Sequence, residues 1–159
     1  MANAGPRRTA VGCLLLLAFW TAAARAGEGD QLLATVDQPA RITATRAVSL
    51  GDASPTGSSR VIVSVTHYRP TDDGLPIEAV VTARPGDGAE REIGRFGVTP
   101  DREFASADPS TAQHFSFAFP RELASVLAVG KPVTFSIHLV PVRGEGKGAS
   151  LRVGTIEFR

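Results

Sequence analysis

The chain has 159 residues, with 17 lysines and arginines against 16 aspartates and glutamates. That length is one ordinary domain, able to bury a core without staples. Near charge balance excludes generic attraction to nucleic acid or an anionic membrane, and a single cysteine excludes an internal disulfide framework.

At the start, Arg7 and Arg8 precede an apolar run from Ala10 to Ala24, with Leu14 to Leu17 at its centre. Ala24-Arg25-Ala26 then supplies the small-x-small pattern that signal peptidase prefers. Residues 1–26 are therefore expected to be a signal peptide, cut before Gly27, that sends the chain to the periplasm or out of the cell. The Arg7-Arg8 pair admits the twin-arginine route beside the Sec route. A membrane span needs about 20 apolar residues, so no stable anchor is expected after cleavage, and Cys13 lies too early in the run for lipid attachment. Cleavage removes Met1, Cys13 and Trp20, each the sole residue of its type. Thiolate catalysis, thiolate metal sites and Met-rich copper sites are thereby excluded. It also removes Arg7, Arg8 and Arg25 but no acid, so 14 basic residues remain against 16 acidic ones.

Residues 27–37 lack strong periodicity, and residues 27–40 are expected to form a flexible N-terminal segment ahead of a domain spanning 41–159. From there on, short apolar stretches alternate with turn residues. Strand-like runs occupy 40–50, 60–68, 77–83, 91–98, 114–119, 133–142 and 151–158. Between them lie Gly51-Asp52-Ala53-Ser54-Pro55, Thr71-Asp72-Asp73-Gly74, Pro85-Gly86-Asp87-Gly88 and Gly144-Glu145-Gly146. Glycine supplies positive φ in such clusters, and Asp or Pro fixes local geometry.

The period inside these runs is two. Val61, Val63 and Val65 share one face, which His67 is expected to continue to the rim. Phe115, Phe117 and Phe119 alternate with Ser116 and Ala118, and Val133, Phe135, Ile137 and Leu139 alternate with Thr134, Ser136 and His138. Such alternation marks half-buried antiparallel strands. Burying three phenylalanines is worth roughly 1.5–3 kcal/mol each, so the Phe115 strand is expected to be central. The one helical stretch, 121–127, is introduced by Pro120 and stopped near Gly130; it is too short to stand alone and should cross one end of the sheets. About seven strands at this spacing make an all-β fold, a single antiparallel β-sandwich with one short helix, with a small open barrel as the competing arrangement.

The candidate chemistry is sparse. His67, His114 and His138 are the only histidines, and three imidazoles could hold copper or zinc. Each lies on a separate expected strand, without the i, i+2 or i, i+4 spacing that sets two ligands side by side. Asp72, Asp73 and Asp87 lack the alternating ligand series of a calcium loop and read as solvated turns. Gly144-Glu145-Gly146-Lys147-Gly148 lacks P-loop spacing and reads as a hairpin connection. No serine sits in a Gly-x-Ser-x-Gly elbow, and Ser58-Ser59 has no base nearby in sequence. Tyr68, the single tyrosine, is a candidate binding contact or an amphipathic ring at a strand end. No catalytic residue and no cofactor is expected.

The second half resembles the C-terminal domain that follows the copper domain in plant polyphenol oxidases and some bacterial tyrosinases. The matching segments are Arg91-Glu92-Ile93-Gly94-Arg95-Phe96-Gly97-Val98 and His114-Phe115-Ser116-Phe117-Ala118-Phe119, then the Glu122-Leu123-Ala124-Ser125-Val126-Leu127 helix. Val133-Thr134-Phe135-Ser136-Ile137-His138-Leu139-Val140-Pro141 and Leu151-Arg152-Val153-Gly154-Thr155-Ile156-Glu157-Phe158 follow. The resemblance implies a β-sandwich. In that family the domain packs over the copper site and restrains activity until it is displaced or removed. The family's catalytic part is a separate helical domain with six histidines holding two coppers, and this chain has neither, so the resemblance implies the accessory domain standing alone. Three functions follow as expectations: a non-catalytic interaction module serving a separate tyrosinase-like copper oxidase, a small periplasmic copper or zinc carrier using the three histidines, or a glycan-active enzyme with dispersed carboxylates.

Overall fold

The alternating runs assemble into two antiparallel sheets packed face to face. The computed structural model describes residues 32–45, 60–98, 102–108 and 111–159. The expected signal peptide, residues 46–50 of the first strand-like run, the turn at 51–55 and Ser58-Ser59 lie outside the described residues. The elements are β1 (Leu33–Thr35), β2 (Ala40–Ala44), β3 (Arg60–Arg69), β4 (Ile77–Pro85), β5 (Arg91–Phe96), β6 (Phe104–Ala105), β7 (Gln113–Ala118), α1 (Arg121–Ala128), β8 (Val133–Pro141) and β9 (Ser150–Phe158).

In the first sheet β9 lies between β1 and β3, while β6 and β7 pair in tandem along the other side of β3; the second sheet runs β2-β8-β4-β5. The inner faces are the alternating apolar sets. Val61, Val63 and Val65 of β3 meet Val133, Phe135, Ile137 and Leu139 of β8 and Ala79, Val81 and Ala83 of β4, all of them buried. Small alanines on β4 opposite phenylalanine on β8 let the two inner faces interdigitate.

The β3–β9 pair carries two compensating irregularities. The register runs Val63↔Ile156, then Val65↔Val153, then His67↔Arg152. Between the first two pairs β9 has the extra residue, at Gly154-Thr155; between the second two β3 has it, at Thr66. Each extra residue reverses the facing of the strand beyond it. On β3 the buried series Val61, Val63, Val65 therefore resumes at Tyr68, and on β9 Leu151 and Val153 are followed inward by Ile156 and Phe158. Glycine is required at 154 because a Cβ there would stand 2.7 Å from Thr66 Cγ2.

Aromatic rings close the sandwich. Phe96 of β5 stacks on Phe115 of β7 with centroids 3.9 Å apart, joining the edges of the two sheets, and Phe117 lies beside them. Gly94 makes room for that ring, since a Cβ there would clash with Phe117 Cδ1. Phe119, Phe135 and Phe158 form a second cluster with centroids 5.4–5.9 Å apart. The helix covers this end through Leu123 and Leu127. It begins after Pro120 and stops at Gly130, whose φ is 74° and whose N–H donates to the Leu127 carbonyl.

Four expectations need correcting. The segment 27–40 contains β1, a strand too short to display alternation, which pairs with β9 and buries Ala34. The Phe115 strand, β7, pairs among the described residues only with β3 and so flanks the sheet; burial needs a core beneath a strand, whereas centrality needs a ladder on both sides. Gly144 to Gly148 is no hairpin connection, because β8 and β9 belong to different sheets and the loop crosses between them. His67 does not continue the Val61–Val65 face, because the Thr66 bulge turns it outward and sends Tyr68 inward.

Gly94→Ala should destabilise the fold by about 1–3 kcal/mol, since the added methyl overpacks against Phe117. Gly97→Ala, with nothing within 4 Å of its new Cβ, should leave stability unchanged. Thermal unfolding followed by circular dichroism checks both; equal midpoints for the two variants would contradict the interlocking of β5 with β7.

Candidate functional site

With the inner faces filled, the polar side chains gather on two outer faces and at the loop ends. On the outer face of the first sheet, ladder pairing sets Leu33, Arg152, His67 and Ala105 in one row across β1, β9, β3 and β6. The Thr66 bulge places both Thr66 and His67 on this side. An open trough of about 520 Å³ lies over the row, lined also by Ser106, Ala107 and Ser150. Further along the same face Thr155 Oγ1 donates to Ser64 Oγ at 3.1 Å, and Ser64 Oγ stands 2.9 Å from His114 Nδ1. With Thr155 donating, the Ser64 proton is directed at Nδ1, which favours the Nε2–H tautomer of His114. Ser64 is only 4% exposed, so its hydroxyl works within the sheet surface and is screened from solvent.

The outer face of the second sheet carries a different cluster. Thr82 Oγ1 donates to Glu90 Oε1 at 2.5 Å, and His138 Nε2 lies 3.6 Å from the same oxygen. The Thr82 hydrogen bond holds the Glu90 carboxyl below the usual carboxylate range against the opposing effect of partial burial, with His138 assisting. Beside it Arg95 forks onto Glu92 at 2.9 and 3.0 Å and reaches Glu78 at 3.4 Å. These charges are exposed and contribute little stability each.

The three histidines are not brought together. His67 and His114 lie on the outer face of the first sheet and His138 on the outer face of the second, so the hydrophobic core separates His138 from the other two. Sandwiched sheets stand about 10 Å apart, whereas one metal needs every ligand atom within about 2–2.2 Å. Among the described residues no group of three or more His, Cys, Asp or Glu could hold a metal ion. Asp72 and Asp73 lie in the turn before β4 and Asp87 in the turn after it, at opposite ends of that strand. Asp72 pairs with Arg69, and Asp73 accepts from the Leu75 N–H, which keeps its carboxyl below the usual range. Tyr68, 1% exposed, belongs to the core cluster and presents no ring surface to a ligand.

A further surface feature lies at the β2 edge of the second sheet. Along β8, the β2 ladder ends at Ile137, so beyond it β8 has no ladder on that side among the described residues. Val140 and Val142 are 40% and 53% exposed there. Sequence reasoning did not single out Arg152, Ser64, Thr155, Glu90 or the two valines. A cross-strand row has no signature in a linear sequence, because it depends on register.

No protein-family model and no curated protein matches the sequence. Among solved structures the chain is similar to latent aurone synthase (polyphenol oxidase) from natural source, with 17% identity over 79% of this chain and a TM-score of 0.42. It is likewise similar to recombinantly expressed latent aurone synthase co-crystallized with hexatungstotellurate(VI), with 16% identity over 80% of this chain and a TM-score of 0.43. The chain spans about a quarter of the length of each, 25%.

Thr82→Val removes the donor to Glu90 while keeping the shape of the side chain. The Glu90 carboxyl should then rise toward the ordinary carboxylate range, as read by carbon-detected NMR titration. Because the folded value lies below the unfolded one, the bond stabilises the fold above the unfolded pKa and ceases to do so as pH falls through the folded value. The variant should therefore melt lower than the parent near neutral pH and together with it in acid. An unchanged Glu90 titration would contradict the assigned cause.

Proposed function

We propose that this chain is an exported, non-catalytic β-sandwich module that docks on a separate tyrosinase-like copper oxidase as its cap or companion. The observation that carries the reading is the one-sided stretch of β8 beyond Ile137, with Val140 and Val142 exposed beside it. A strand stretch without a ladder partner on one side offers backbone donors and acceptors to a partner strand, and adjacent apolar side chains supply the burial that makes such pairing hold. Exposed charges flank the other edge of that sheet at Arg91, Glu92 and Arg95, and edge charges discourage pairing there. The class of partner is suggested by the sequence resemblance of the β5, β7, α1, β8 and β9 segments to the accessory domain of polyphenol oxidases. Export is suggested by the Arg7 to Ala26 leader.

Affinity capture from the host's own envelope extract, read by mass spectrometry, tests both halves of the proposal. A six-histidine copper oxidase should be recovered with the parent chain, and a Val140→Asp/Val142→Asp variant should recover at least about tenfold less, the effect of losing roughly 1.4 kcal/mol of docking. Both positions are exposed, so the variant should keep its fold. No oxidase in the capture would overturn the companion role; equal recovery by parent and variant would overturn the docking surface.

A further inference from the structure

We propose that Asp87-Gly88, at the tip of the β4–β5 turn, is a site of spontaneous isoaspartate formation, and that the fold protects the chain's other Asp-Gly pair, Asp73-Gly74, from the same reaction. The modification is independent of the docking role. Asp-Gly occurs at these two places in the sequence. In such a pair the glycine nitrogen can attack the aspartate Cγ, because glycine carries no side chain to crowd the approach. The new C–N bond closes a succinimide, and the carboxyl hydroxyl leaves with the amide proton as water. Water then adds back to the ring. Opening at Cγ restores aspartate, whereas opening at the main-chain carbonyl gives isoaspartate, whose backbone runs through the former side chain. Water is the sole co-reactant.

The Asp87 carboxyl is exposed and makes no hydrogen bond or ion pair among the described residues. Nothing lies within 4 Å of where a Cβ would stand on Gly86, so the tip projects clear of the sheets. Two backbone bonds hold the turn, from the Gly86 N–H to the Pro132 carbonyl and from the Gly88 N–H to the Pro85 carbonyl. The second has to open before the Gly88 nitrogen can reach Cγ. Exposed loop tips with few contacts are where such local opening needs the least free energy.

The Asp73 turn is closed by the same kind of bond, from the Gly74 N–H to the Thr71 carbonyl, so the nitrogen does not separate the two sites. Their surroundings do. Asp73 Oδ1 accepts from the Leu75 N–H at 3.1 Å, and this bond keeps the carboxyl below the usual carboxylate range, with Thr71 assisting. An ionised carboxylate has no hydroxyl to release as water. The turn is also fastened to the body of the protein. Thr71 is 5% exposed, and its hydroxyl donates to the Leu75 carbonyl at 2.8 Å. The Asp72 N–H donates to the Lys147 carbonyl at 2.8 Å, and a Cβ on Gly144 would stand 3.2 Å from Asp73 Oδ2. Opening at Asp73 therefore disturbs the β8–β9 loop as well, whereas opening at Asp87 disturbs only its own turn.

Incubation of the folded chain in heavy-oxygen water near neutral pH, followed by digestion in ordinary water and mass spectrometry, tests the assignment. Ring opening leaves one heavy oxygen in the peptide, and cleavage after Glu78 puts the two sites on separate peptides. The Asp87 peptide should gain label at least about tenfold faster than the Asp73 peptide, the difference set by local opening. In guanidinium chloride, where no fold distinguishes them, the two rates should agree within about threefold. Asp87→Glu, whose larger ring closes slowly, should abolish labelling of its peptide in the folded chain. Labelling of Asp73 as fast as Asp87 in the folded chain would overturn the proposal. So would an unlabelled Asp87 under conditions that label the denatured chain, or a tenfold difference that persists in denaturant.

Discussion

The pairing of β3 with β9 is the constraint on which the rest of this fold depends. β3 bonds to β9 along one side and to β7 and β6 along the other, so its course sets the placement of three neighbours. Two bulges, one on each strand, cancel in register but not in facing. Each strand presents one phase of its alternation at one end and the opposite phase at the other. This lets Val61 and Phe158 line the helix-capped end while Tyr68 and Leu151 line the other end. Gly154 opposite Thr66 is the steric condition for the arrangement, because neither extra residue could be accommodated if both carried a side chain at the contact.

Much of the architecture was legible from alternation alone. Val133, Phe135, Ile137 and Leu139 declare an inner face, and the structure buries all four. Pro120 and Gly130 bracket the helix as their chemistry requires. Legibility ended where the alternation is interrupted. At Thr66 the rule of two assigns His67 inward, and no residue nearby signals that the phase changes there. β1 and β6, with three and two residues, are shorter than one period of evidence. The apolar content of β7 reveals that it is buried on one face and says nothing of how many strands flank it. Likewise the glycines at 144, 146 and 148 mark a turn without telling which sheet receives the next strand.

The surface was less legible than the core, for the same reason. That the three histidines occupy separate strands could be read directly, and the structure adds that two outer faces share them. Arg152 beside His67, and Glu90 beneath Thr82 and His138, exist only through register and through the return of the β4–β5 connection.

The reversal of facing in β3 is tested most directly by nitration of Tyr68 with tetranitromethane, followed by mass spectrometry of the peptide that contains it. The chain has a single tyrosine, so the readout is unambiguous. With the bulge in place the ring is 1% exposed, and nitration of the folded protein should be negligible until denaturant is added. A regular β3 would point Tyr68 at solvent and His67 at the core. Nitration of the native protein at the rate of the unfolded chain would contradict the account, and with it the trough that the bulge creates.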